Sequence, residues 1–376
     1  MPELNTSVEI EFGESIRFAT TIEGEEPPIR AVLFIRSGQN TQFKTRIAEI
    51  KTTNPPHAIV EVEPMAINLV PFAQIEYYWQ VDLADGVIIT SETERMNYHD
   101  QRFEWQDFAR GSIAAHWVDG DLAWGQNLLA IAESVLPEMR ALFGTAADTP
   151  IHIYVYPDQS TLQNSLRQAG INQVAAHALP ETGAVLLSGK SGSETLIHLE
   201  QDIPHELVHV LLHERMRAKK ENLPVWLDEG LATHFEQTPR PIYRTALEDA
   251  AERDALLAME SLCASFPIAE DEKILAYAQS ASFTNYLLDI YGSGGILLLL
   301  DAYEEGVSCT GGIQRVYRRS LGQLESEWKG SAFGGANFKR RIDREILLTI
   351  GITVLILALG VSKWLIRKRR PQSPSL

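Results

Sequence analysis

A chain of 376 residues is too long for one ordinary domain and predicts two domains and an appendage. Apolar residues make up 45% of it, and 50 acidic against 33 basic side chains leave a formal charge of −17. A surface that acidic is soluble and self-repelling, and it excludes sequence-independent nucleic-acid binding, which needs clustered Lys and Arg.

Residues 1–98 predict an all-β domain. Val8, Ile10 and Phe12 alternate with acids, as in a half-buried strand, and further runs lie at 16–21, 31–36, 41–50, 58–63, 75–83 and 87–91. Asp85-Gly86 between the last two is a hairpin signal. About seven short strands in under a hundred residues predict an immunoglobulin- or fibronectin-like sandwich. His57 and His99 stand there without a cluster of ligand types, so a spacer or binding role is expected. Residues 99–333 change pattern: a helix over 125–143, strands at 150–156 and 183–188, then helices from His205 onward to a last one near 324–333. Strands followed by helices predict an α+β domain. Residues 334–345 read as a juxtamembrane linker.

The segment 346–362 carries no charge, and a snorkelling Lys363 extends it to 346–366. Those 21 residues span about 30 Å as a helix, enough to cross a bilayer. The tail at 367–376 begins with Arg367, Lys368, Arg369 and Arg370, which predicts a cytoplasmic tail and an extracytoplasmic bulk. Met1-Pro2-Glu3-Leu4 opens no signal peptide. Either the true start lies upstream, or the protein is tail-anchored with its bulk in the cytoplasm. Two cysteines, Cys263 and Cys309, are too few for a zinc ribbon. An exported domain tips them towards pairing rather than two buried thiols.

The chemistry concentrates at His205-Glu206-Leu207-Val208-His209. On a helix, residues i and i+4 share a face, so both imidazoles reach one ion, with Glu206 beside them as base for a water. Pro204 suits an early helical position. A catalytic zinc takes three protein ligands and keeps one open position. Glu229, in Trp226-Leu227-Asp228-Glu229-Gly230-Leu231-Ala232, can supply the third from a second helix. His213 lies about 12 Å along the axis from His205 and is expected on the surface. Asp228 is either an orienting acid behind a histidine or an exposed first-turn residue. His234 is expected to face away, and Trp226 to pack in the core.

HELVH followed by WLDEGLA resembles the gluzincin metallopeptidases, and especially the peptidase MA-like proteins. The likeness covers roughly 100–330 and includes GAVLLS at 183–188 and LAYAQSASFTNYLLDIYG at 275–292. It implies Zn2+ at His205, His209 and Glu229, with Glu206 activating the zinc-bound water. A Tyr or His stabilises the oxyanion in such relatives, and Tyr277 is the candidate here. Aminopeptidases of this group carry WLNEGFA and a GxMEN motif. Asp228 and GAVLL depart from both, which favours an endopeptidase. The strand at 183–188 could pair with an extended substrate, or form a plain sheet edge. The expectation is therefore a membrane-anchored zinc endopeptidase acting on peptide or protein substrates. Two alternatives stand beside it: a catalytically inactive adhesion or sensory ectodomain, and a zinc hydrolase with a non-peptide substrate.

Overall fold

The computed structural model describes residues 2–334, apart from 39–41, 147, 168–170, 172–175, 217–218 and 220–221. The expected membrane helix at 346–366, the basic tail and nearly all of the 334–345 linker lie outside the described residues.

The N-terminal region is all-β and forms two antiparallel sheets. One has the order β1 (Glu3–Glu11), β2 (Ser15–Glu23), β6 (His57–Val62), β5 (Glu49–Lys51). The other runs β4 (Lys44–Ile47), β3 (Pro28–Ser37), β7 (Gln74–Leu83), with β8 (Ile88–Thr90) and β9 (Glu94–Asn97) both pairing β7. Period-two patterning turns Ile16, Phe18 and Ile22 of one sheet against Leu33, Ile35, Trp79 and Val81 of the other in a single core. The run at 41–50 was expected as one strand. It is two, because the chain changes sheets at Ala48: β4 pairs with β3 and β5 with β6. The strand β9 was not anticipated, since Glu-Arg-Met-Asn has no apolar alternation and is held by pairing alone.

The next unit is built on a mixed sheet of order β10 (Gln106–Arg110), β11 (Ile113–Trp117), β12 (Ile151–Tyr156), β14 (Ala184–Ser188), β13 (His177–Leu179). The pairs β11–β12 and β12–β14 are parallel, and the outer two are antiparallel. The sequence pattern did not reveal β10 or β11. Helix α1 (Leu122–Phe143) starts at Asp121, whose carboxylate accepts from Trp124 N at 3.0 Å, and ends at a left-handed Gly144. Gly125 lets it close on the sheet, because a Cβ there would meet the Trp117 ring at 2.1 Å. One face of the sheet (Ala115, Trp117, Ile153, Val155, Val185, Leu187) packs beneath the helices.

The opposite face (Tyr154, Tyr156, Leu186) packs on α2 (Gln159–Arg167) and on Val70 and Phe72 of the sandwich. Phe72 stacks on Tyr154 at 3.6 Å. Asp100, wholly buried at this junction, accepts from Arg102 at 2.8 and 2.7 Å and from Tyr156 Oη at 3.1 Å. A buried carboxylate survives there because its lone pairs are taken.

Helices complete the fold: α3 (Ser193–Met216), α4 (Val225–His234), α5 (Pro241–Glu252), α6 (Glu270–Glu304), α7 (Cys309–Tyr317) and α8 (321–334). Pro204 lies well inside α3 rather than near its start, because the helix begins at Ser193. Among the described residues α6 is the one helix long and apolar enough to cross a membrane. It breaks at Gly292 (φ 66°, ψ −178°) and buries Ala276, Phe283, Leu287, Ile296 and Leu299 in the domain core, as a central packing helix does. Cys263 and Cys309 form a disulfide with a Cα–Cα distance of 6.0 Å.

Candidate metal centre

Helix geometry puts His205 and His209 on one face of α3, and α4 crosses it to present Glu229. One ligand atom from each of the three lies within 4.8 Å of the others. Glu229 Oε2 is 3.3 Å from His205 Nε2 and 3.7 Å from His209 Nε2. That oxygen is buried and takes part in no well-formed hydrogen bond. Two imidazole nitrogens and a carboxylate converging on such an orphaned atom are a donor set suited to zinc. Glu206 is buried in the adjoining turn of α3.

Each imidazole is held from behind by an acid. His209 Nδ1 lies 2.8 Å from Asp228 Oδ1, and His205 Nδ1 lies 3.0 Å from Glu236 Oε1. With Nδ1–H donated to a carboxylate, both rings turn Nε2 towards Glu229. Burial pulls the His205 pKa down, but the adjacent Glu229 carboxylate, the hydrogen bond to Glu236 and the charge of Glu206 outweigh it and bring it up to about 10. The centre is a hole that favours a cation, whether a proton or a metal.

Glu236 was not anticipated from sequence. It stands two residues beyond the end of α4, and its position depends on Pro204. A proline has no N–H, so the carbonyl of Glu200 loses its partner four residues on. Gln237 N–H takes that carbonyl at 3.1 Å. Gln201 Nε2 then donates to Thr238 O at 3.1 Å, and Thr238 Oγ1 to Glu200 Oε2 at 3.0 Å. The segment after α4 is thereby fastened along α3 beside His205. Arg240 closes the network, bonding Glu236 Oε2 at 2.8 Å and Asp202 Oδ1 at 2.7 Å. The usable sequence signal was chemical: a ligand histidine needs an acid or carbonyl on its second nitrogen.

The remaining candidates fall at different distances. Tyr277 of α6 has its ring 6.2 Å from that of His205. Burial and then the Glu229 carboxylate push its phenol well above the usual range, so it stays a protonated donor. Asp228 orients His209, which resolves its two readings. His213 is half-buried near the end of α3 and outside the ligand group. His234 bonds Asn285 at 2.5 Å and is outside the ligand group. Trp226 is fully buried, edge-on to Phe283 at 5.1 Å, with its indole N–H directed at Cys309 Sγ at 3.4 Å. The strand at 183–188 is not a free edge, because β13 pairs with its outer side over Ala184–Leu186. That part of it cannot receive a substrate strand.

The peptidase MA superfamily model matches residues 131–334, more than half of the chain. No curated protein matches it. Among solved structures, it is similar to an aminopeptidase N family protein from Idiomarina loihiensis at 10% identity and TM-score 0.40, covering 85% of this chain and 73% of that one. A purple acid phosphatase from yellow lupin (Lupinus luteus) seeds follows at 10% identity and TM-score 0.21, covering 50% and 35%. A β-glucuronidase from Bifidobacterium dentium has 12% identity and TM-score 0.17, covering 55% and 35%. These structural likenesses are too slight to carry an argument. The match that counts spans α3, α4 and α6, the helices bearing His205, His209, Glu229 and Tyr277, and by it the chain belongs to the peptidase MA superfamily.

Proposed function

We propose that this protein is a membrane-anchored zinc endopeptidase. The observation that carries the reading is the convergence of His205, His209 and Glu229 within 4.8 Å, with Glu206 in the adjoining turn. Bound zinc supplies a Lewis acid that polarises the scissile carbonyl and acidifies a water. Glu206 takes the proton from that water and delivers it to the leaving amine. Tyr277 donates a hydrogen bond to the developing oxyanion. Asp228 and Glu236 keep the two imidazoles in register through both steps. The endopeptidase reading draws on residues 183–188, which lack the acid that an exopeptidase would use to hold a free terminus.

The apolar run at 346–366 is the proposed anchor, with the basic residues 367–370 on the cytoplasmic side and the peptidase domain outside. The Cys263–Cys309 disulfide agrees with that compartment. The sandwich, whose strand order is that of an immunoglobulin-like domain, is proposed as a spacer or binding module.

The test is zinc content and peptide turnover of the purified full-length chain. Close to one zinc per chain is expected, lost in His209→Ala and Glu229→Ala. Glu206→Gln should keep the zinc and lose turnover. A well-folded wild type that takes up no zinc, or a Glu206→Gln variant as active as wild type, would overturn the reading.

A further inference from the structure

Three aromatic rings stand together beside the metal centre. Tyr277, 6.2 Å from His205, lies parallel to Tyr243 of α5 at 6.0 Å and meets Phe266 edge-on at 5.0 Å. Each ring is half-buried and still presents surface. The apolar surface continues outward on both supporting segments. Ile242, next to Tyr243, is 53% exposed, and Ile268, two residues after Phe266, is 99% exposed. A single exposed isoleucine is ordinary, but here two flank an aromatic cluster on the two segments that border the centre.

The wall also has room to adjust. Of the twelve residues of α5 only Ala250 is fully buried, and grooves of about 540 and 580 Å³ run along its sides. The first is lined by Tyr243, Leu247, Tyr286 and Trp328 together with polar groups such as Arg244 and Asp289, and the second by Ile242, Leu257 and Leu275 together with Asp249, Arg253, Asp271 and Glu272. The acids nearest the rings are already engaged. Glu236 is held by His205 and Arg240, Asp228 by His209, and Glu229 belongs to the ligand group. Immediately around the rings the wall offers aromatic and aliphatic contact, while the acids Asp249, Asp271 and Glu272 line the groove that does not include Tyr243.

Resting on the peptidase reading above, we propose that Tyr243 and Phe266, with the ring of Tyr277, select substrates that carry a bulky apolar or aromatic side chain on a residue sharing the scissile bond. A side chain covered by such a wall is favoured by about ten- to two-hundred-fold for each methylene-sized difference that the pocket resolves well. Much of that discrimination would be expressed as preference among cleavage sites.

The test uses the zinc-loaded full-length chain and a mixture of synthetic peptides of known sequence, with cleavage sites read by mass spectrometry. Phe, Tyr, Trp, Leu or Met should flank the cut at least about fivefold more often than the mixture contains them. Phe266→Ala and Tyr243→Ala should bring that enrichment down at least about threefold while one zinc per chain is retained, and Phe266→Leu should keep it. If Tyr243→Ala fails to fold, the two Phe266 variants decide. A flat wild-type profile, an enrichment of Lys and Arg, or alanine variants with the wild-type profile would each overturn the proposal. A zinc-loaded wild type that cleaves no peptide in the mixture would overturn the peptidase reading itself, and this proposal with it.

Discussion

Gly230 sits beside Glu229 on α4, where α4 lies against α6, and its replacement by alanine probes how the proposed third ligand is held. A Cβ there would stand 2.3 Å from Thr284 Oγ1 and 2.6 Å from the Ser280 carbonyl oxygen. The threonine side chain can rotate away, but the Ser280 oxygen is backbone. Moving from 2.6 Å to the 3.4 Å at which ordinary contact begins separates the two helices by about 0.8 Å. Overpacking of this kind costs about 1–3 kcal/mol. For a unit of this size that lowers Tm by about 2–12 °C. The same shift displaces the Glu229 carboxylate relative to the imidazoles, and ligand distances tolerate only about 0.2 Å. Zinc affinity, measured by competition with a chelator, should fall at least about tenfold, of the order seen when ligand support is disturbed. Gly322→Ala in α8 is the control, because a Cβ there meets nothing within 4 Å. It should be neutral or slightly stabilising. A Gly230→Ala protein within a degree of wild-type Tm, with zinc affinity within twofold, would refute the account of how α4 packs on α6.

Two further outcomes are expected. Glu236→Gln and Asp228→Asn keep the shape of the acids behind His205 and His209 but remove their charge, so each should weaken zinc binding about 10–100-fold by chelator competition. Values within twofold of wild type for both would remove these acids from the site's support. The second outcome concerns pH and lies at the junction of the two domains, where burial first and then neighbouring His152 lower the His116 pKa from 6.5 to about 4. A base whose folded pKa is depressed is buried neutral, so the unfolded chain takes up its proton first. The stability this group contributes is complete above about pH 6.5, falls as pH drops towards 4, and amounts to about 3 kcal/mol over that window. Chemical denaturation at pH 7 and pH 4.5 should show a smaller loss in His116→Gln than in wild type. Identical losses in the two proteins would rule this histidine out.

Part of the candidate metal centre was legible without coordinates because it is local. The i, i+4 spacing of His205 and His209 determines their common face as soon as the segment is helical, and zinc chemistry then demands a third donor, which Glu229 can be on a second helix. The alternation in 16–21 and 75–83 likewise marked strands, since one buried face imposes a period of two. Other features could not be read that way. The run at 41–50 carries nothing at Ala48 to say that the chain changes sheets there. Likewise, 183–188 has the same apolar pattern whether its outer side is free or taken by β13.

The sequence by itself determined the residue types at the centre, the class of metal they suit and the two kinds of secondary structure that divide the chain, because these follow from side-chain chemistry and short-range geometry. Only the tertiary structure decided what stands around that centre. Glu236 reaches His205 because Pro204 leaves a carbonyl that Gln237 claims, and Tyr243 meets Tyr277 because α5 folds back along α6. Such contacts join residues tens of positions apart, and no local periodicity encodes them.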